Sequence, residues 1–165
     1  FGGLRAKIRP ATHADLAEVV AAFATAALRC RLAGIDGVEV HAAHGYLLSE
    51  FLSPAWNFRT DEYGGSIEKR ARLLCEVLRA CKQRAGADYP VWCRIDAVEL
   101  RTPGGIRFED ARRTAEIAAE AGADAIHVSA YADSSSAVGF TDAPLPDRAA
   151  AYVEYAAGIR ARVNV

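Results

Sequence analysis

The 165-residue sequence contains no methionine at all. Translation begins with methionine, which is trimmed only ahead of a small residue, so Phe1 leads us to expect an internal piece of a longer protein. Any targeting leader would then lie outside this window. An excess of either charge is also lacking, since 20 Lys+Arg stand against 21 Asp+Glu for a formal net charge of −1. Nucleic-acid and anionic-membrane binders normally carry a basic excess, so neither partner is expected. No apolar run approaches the roughly 20 residues needed to span a bilayer. The four cysteines, Cys30, Cys75, Cys81 and Cys93, include no Cys-x-x-Cys pair, so neither a zinc site nor a redox motif is written. Reduced, packed thiols in a cytoplasmic protein are expected instead. A glycine-rich phosphate loop is missing too: Gly104-Gly105 follows Pro103 and reads as a turn.

What is present is an ordinary globular composition, 52% hydrophobic and 25% charged, in a chain long enough to bury a sizeable core. Its main organising feature is a repeat. Three times a helical pattern ends in Gly-x-Asp and an apolar strand follows: at Gly34-Ile35-Asp36, Gly86-Ala87-Asp88 and Gly122-Ala123-Asp124. Glycine suits the left-handed cap that closes a helix, and a short polar residue turns the chain into the strand. Enough residues separate the repeats for a crossover helix each time, which predicts a βαβαβ series with a parallel sheet. Thr12 with Asp15 resembles a capping box for a helix through Leu16, Val19, Val20, Phe23 and Ala27. Ser66 can cap a helix striped by Leu73, Leu74, Val77, Leu78 and Cys81; later helices run from about Phe108 to Ala121 and through Tyr152, Tyr155 and Ile159. Cys75 and Cys81 should lie on different faces of theirs.

Strand alternation separates two kinds of parallel sheet. Val38 and Val40 share one face and Glu39 and His41 the other; Val91, Cys93 and Ile95 oppose Trp92, Arg94 and Asp96; Ile126 and Val128 oppose His127 and Ser129. A doubly wound sheet has helices on both faces and favours apolar residues on both. One polar face fits a barrel with helices outside and a functional lumen better. Three strands cannot close it, since a full (β/α)8 TIM barrel takes about 250 residues. The predicted fold is therefore α/β, an incomplete (β/α)8 barrel of about three parallel strands with flanking helices. Its open first and last strand edges lead us to expect self-association, as a homo-oligomer or by aggregation.

In such barrels chemistry sits at the carboxyl ends of the strands. The first strand ends in His41-Ala42-Ala43-His44-Gly45-Tyr46, which crowds two imidazoles and a phenol at one mouth. The spacing leaves three readings open. The rings can be hydrogen-bonded structural groups, or Glu39, His41 and His44 can ligate a metal in a barrel hydrolase, or the three rings can act together on a substrate. A non-catalytic folding or assembly unit is a further alternative. Glu39 reads as structural support partnered by Arg94 across the lumen. His127 and Ser129 either line the pocket or are satisfied core groups, the stretch Arg59–Ser66 fixes a long loop, and Tyr131–Pro146 reads as a loop that shapes substrate choice.

The run Gly37-Val38-Glu39-Val40-His41-Ala42-Ala43-His44-Gly45-Tyr46-Leu47-Leu48 resembles the signature segment of the old yellow enzyme family of NADH:flavin oxidoreductases. The resemblance continues through Phe51-Leu52-Ser53-Pro54, Asn57-Phe58-Arg59-Thr60-Asp61-Glu62-Tyr63-Gly64-Gly65-Ser66 and Glu68-Lys69-Arg70-Ala71-Arg72, with Lys69 departing from a common asparagine. It implies that residues 1–165 are the central part of a single FMN-binding (β/α)8 barrel domain whose N- and C-terminal units lie outside the chain. It further implies an NAD(P)H-consuming ene-reductase acting on a small unsaturated molecule: an enone, enoate or dienoyl thioester. His41 and His44 would hold the activating carbonyl, Tyr46 would protonate the α-carbon, and Arg94, with His41, would contact the flavin. Some relatives carry a 4Fe-4S cluster and FAD in domains beyond the barrel. The last βα units, which grip the flavin phosphate in this family, are not in this sequence, so the piece alone is expected to be inactive.

Overall fold

The computed structural model describes residues 9–132 and 149–165. Its strands are β1 (Val38–Ala42), β2 (Val91–Leu100) and β3 (Ile126–Ala132). Its helices are α1 (His13–Leu32), α2 (Leu47–Leu52), α3 (Ile67–Arg70), α4 (Arg72–Ala85), α5 (Phe108–Glu120) and α6 (Val153–Arg160). The strands form one sheet in the order β1-β2-β3, and both pairings are parallel. Parallel neighbours need crossovers, supplied by α2 to α4 after β1 and by α5 after β2.

The local signals take the form the sequence predicts. Thr12 and Asp15 close a reciprocal capping box on α1, with Asp15 Oδ2 accepting the Thr12 amide at 2.7 Å. Ser66 caps α3, and the helix breaks at Ala71 before α4 resumes. The glycines of the repeat, Gly34, Gly86 and Gly122, all have positive φ, a region that L-residues avoid. Two of the repeat's aspartates also tie elements together, Asp88 joining α1 to the loop before β2 and Asp124 joining α4 to β2. Asp88 takes both Arg31 Nη atoms at 2.7 and 2.8 Å, and Asp124 binds Lys82 Nζ while accepting the Val91 amide at 2.7 Å.

The core lies between the apolar face of the sheet and the helices. Val40, Val91, Cys93 and Ile95 are buried there against Leu73, Leu74, Val77 and Leu78 of α4 and Ala111, Ala115 and Ala118 of α5. Leu16, Ala24 and Ala27 are buried on α1, whose main neighbour is α4. All four cysteines are free; Cys75 of α4 faces the Ile117 carbonyl of α5. Burial pushes the Cys81 thiol up to about 11 and the Cys93 thiol to about 12, so neither is a thiolate at neutral pH.

Two boundaries differ from the sequence reading. β2 continues to Leu100, with a register shift between Asp96 and Glu99. Tyr131, expected to open a loop, is a residue of β3; Ser134-Ser135-Ser136 and Pro144-Leu145-Pro146 lie outside the described residues.

Leu78 is fully buried and Arg79 beside it is exposed. Leu78→Ala is expected to cost about 2–5 kcal/mol through lost transfer energy and cavity formation. Arg79→Ala should stay within about 0.5 kcal/mol. Urea unfolding followed by circular dichroism checks both, and similar values for the two would contradict this placement of the core.

Candidate active site

The polar face of the sheet is built by register. Glu39 stands opposite Trp92, His41 opposite Arg94, Arg94 opposite His127, and Asp96 opposite Ser129. The chain then leaves β1 through a tight turn. His44 has φ 62° and Gly45 φ 72°, so two successive residues occupy the left-handed region. That conformation is uncommon for a histidine, and such strain gathers at functional sites. Side-chain room explains why glycine comes next: a Cβ at Gly45 would meet Tyr131 Oη at 2.8 Å. Tyr46, extended at ψ 173°, becomes the N-cap of α2, and its carbonyl accepts the Glu50 amide.

This turn brings three rings together. The His41 ring meets that of His44 edge-on at 5.1 Å between centroids and that of Tyr46 at 5.3 Å. Tyr46 is 55% exposed while His44 is buried. The predicted trio of His41, His44 and Tyr46 is therefore one cluster at the carboxyl end of β1.

A buried network supports it. The His44 amide donates to Asp96 Oδ2 at 2.6 Å, and the Ser49 hydroxyl of α2 reaches the same oxygen at 3.4 Å. His44 Nε2 lies 2.7 Å from Ser129 Oγ, which also accepts from Arg94 Nη2 at 3.1 Å. Asp96 is 1% exposed, and burial is the main cause that pushes its carboxyl up to about 7; the nearby Glu99 adds to this, while the His44 amide, Ser49 and Arg94 oppose it. Sequence reasoning placed Asp96 only on the polar face of its strand. The missed signal was a carboxylate inside an otherwise buried strand, two residues beyond Arg94.

The structure corrects two expectations. Glu39 is not partnered by Arg94: its Oε2 accepts from Trp92 Nε1 and bonds His127 Nδ1, each at 2.8 Å. Register explains this, since Glu39 is level with Trp92 while Arg94 stands two pairs higher, level with His41, and reaches Ser129. Burial pushes the Glu39 carboxyl up, but the His127 and Trp92 hydrogen bonds, with Arg94 nearby, outweigh it and hold it low. Glu39, His41 and His44 also do not gather as a metal set. Among the described residues, the triple whose ligand atoms converge is His13, Asp61 and Glu62, where Asp61 is already forked by Arg59.

The loop after α2 is structural. Asn57 Nδ2 donates to the Phe51 and Tyr63 carbonyls at 2.7 Å each, and buried Arg70 donates to the Leu52 carbonyl at 2.8 Å. An open cavity of about 840 Å³ lies beside it, lined by Leu47, Trp56 and Phe58 among others. Among the described residues no helix is long and apolar enough to cross a membrane.

Comparison with known proteins identifies relatives of this chain. The sequence profile of the NADH:flavin oxidoreductase / NADH oxidase family matches residues 5–143. An NADPH dehydrogenase of Halalkalibacterium halodurans is 40% identical over 154 residues, covering 93% of this chain and 43% of that protein. The solved structure of a 2-naphthoyl-CoA reductase bound to 2-naphthoyl-CoA superposes with a TM-score of 0.78 at 30% identity, over 93% of this chain and 23% of the other. An old yellow enzyme homologue from Zymomonas mobilis gives 0.68 at 25% identity, over 93% of this chain and 41% of that one. The chain thus spans less than half the length of these proteins, and its three strands are an arc of their (β/α)8 barrel. Since the matched span takes in β1, β2 and β3, and with them every residue of the ring cluster and its supports, this chain belongs to the NADH:flavin oxidoreductase / NADH oxidase family.

Proposed function

We propose that this chain is the substrate-holding central part of a single FMN-binding barrel that uses NAD(P)H to reduce activated carbon–carbon double bonds: those of enones, enoates or conjugated thioesters. The observation that carries the reading is the convergence of His41, His44 and Tyr46 at the carboxyl end of β1, with the phenol exposed and the imidazoles beside it. The family's name supports a flavin and NADH, the NADPH dehydrogenase supports NADPH as a second reductant, and the 2-naphthoyl-CoA reductase supports a carbonyl-conjugated substrate.

The residues present fit a flavin. Arg94 Nε is buried with no hydrogen-bond partner among the described residues, and its guanidinium lies on the polar face between Glu39 and Ser129. Arg94 would hold the N1/O2 edge as a cationic donor, with His41 beside it. Bound FMN would supply the hydride chemistry.

The rest falls to this chain's side chains. His41 and His44 take the carbonyl oxygen of the substrate, where negative charge develops. Two fixed donors in a water-poor site are worth several kcal/mol there. Tyr46 delivers the proton to the α-carbon; a phenol is a weak acid in water but protonates a strongly basic carbanion. Its exposure leaves room for a substrate to stack between it and the barrel mouth.

Tyr46→Phe is expected to slow alkene reduction by roughly 10²–10⁴-fold while the flavin is still reduced by NAD(P)H. Stopped-flow measurement of the two half-reactions in the intact protein checks this, and an undiminished alkene half-reaction removes Tyr46 from the mechanism. His41→Ala with His44→Ala should weaken a phenol ligand by roughly 100-fold, two charge-assisted hydrogen bonds being lost. Titration of the flavin absorbance by the phenol reads the change; unaltered affinity would contradict the clamp, and an intact protein without flavin absorbance would contradict the whole reading.

The buried carboxyl adds a pH dependence. Folded Asp96 keeps its proton up to about pH 7, whereas an unfolded aspartate releases it near pH ~4. The stability from holding it neutral is full below the lower value and is lost as pH rises through the upper one. Asp96→Asn cannot ionise, so wild type should lose stability relative to this variant between those limits. Urea unfolding of both proteins across that range measures it, and a pH-independent difference would show that the carboxyl titrates normally.

A further inference from the structure

We infer that Ser129 is a positioning residue for His44: it fixes the neutral imidazole in the tautomer with its proton on Nδ1, and so decides which ring nitrogen is offered to the substrate. This deepens the function proposed above and rests on His44 being part of the clamp.

Proton counting selects the tautomer. Ser129 Oγ sits between two nitrogens, 2.7 Å from His44 Nε2 and 3.1 Å from Arg94 Nη2. A guanidinium can only donate, so Arg94 occupies one lone pair of the hydroxyl. Nε2 then either accepts the serine proton or donates into the second lone pair. In the first arrangement the chain runs head to tail, Arg94 to Ser129 to His44, and each proton meets a lone pair. In the second, two N–H groups, one on a cation, converge on one oxygen, and the hydroxyl proton is turned out of the chain. Ser129 is 3% exposed, so water offers little compensation. The first arrangement wins, and the ring proton is left on Nδ1.

Asp96 does not reverse this. Its Oδ1 is 3.7 Å from His44 Nε2, too long for a hydrogen bond. Its other oxygen is engaged by the His44 amide, which fixes the backbone rather than the ring. Burial also keeps that carboxyl protonated toward neutrality, which weakens its pull on a proton at Nε2. Two supports therefore divide the work: Asp96 holds the turn and Ser129 holds the imidazole. Free histidine in water prefers its proton on Nε2, so the network selects the opposite form, and the selection is measurable.

The test uses the intact flavin-loaded protein labelled with ¹⁵N-histidine, the His44 signals being assigned by their loss in His44→Asn. At neutral pH we expect a protonated Nδ1 and a bare Nε2; a proton on Nε2, or on both nitrogens, overturns the inference without any variant of Ser129. Ser129→Ala should shift the ring toward the Nε2 proton and weaken a phenol ligand roughly tenfold, and Ser129→Thr, which keeps the hydroxyl, should restore both. An unchanged tautomer in Ser129→Ala also overturns it. Failure of the flavin-loaded protein to bind phenol would remove the proposed clamp, yet the wild-type tautomer would still decide the role of Ser129. Phenol binding with the proton on Nε2 would remove this inference alone.

Discussion

The hydrogen bond from the His44 amide to the buried Asp96 carboxyl connects the sheet to the ring cluster. His44 and Gly45 both adopt left-handed backbone, a conformation that costs energy at the histidine. An amide donated at 2.6 Å to an oxygen shielded from water helps offset that cost, because hydrogen bonds strengthen where the dielectric is low. The turn in its course folds His44 back over His41 and sets Tyr46 at the start of α2, while Ser49, one turn into that helix, returns to the same carboxyl. Strand, turn and helix thus close on one oxygen of β2.

Much of this was legible because strand alternation is a rigid rule. Glu39, His41, Arg94, His127 and Ser129 had to share a face once their strands were recognised, and they do. The helix caps at Thr12 and Ser66 were legible because their hydrogen bonds span three residues of sequence. Pairings across strands were not. Alternation gives the face of a side chain, while register gives its height, and height decides that Glu39 meets Trp92 and His127 while Arg94 meets Ser129. Register depends on how the whole sheet packs, which no single strand encodes. The burial of Asp96 was hidden for the same reason, since it depends on α2 and β3 closing over it.

The polar residues of the signature run divide into two groups. Asn57, Arg59, Asp61 and Arg70 spend their hydrogen bonds on backbone carbonyls and on one another, holding the connection that leads from α2 to α4. His41, His44 and Tyr46 instead present rings at the mouth. A sequence motif mixes both kinds because a site on strand ends needs a loop of fixed shape as much as it needs reactive groups.

The lumen also has an electrostatic order. Glu39 lies below Arg94 and Asp96 above it, so the guanidinium stands between two carboxyl groups. Were both ionised and paired to it, Arg94 would be neutralised and of little use to an electron-rich cofactor edge. Neither condition holds. Glu39 is ionised but its hydrogen bonds go to Trp92 and His127, and Asp96 is pushed toward its neutral form by burial. The Arg94 guanidinium thus has Glu39 nearby but spends its hydrogen bond on Ser129, with one buried N–H still unused among the described residues. A buried donor left without an acceptor is costly in a folded protein, and such an arrangement makes physical sense where a bound electron-rich edge completes it.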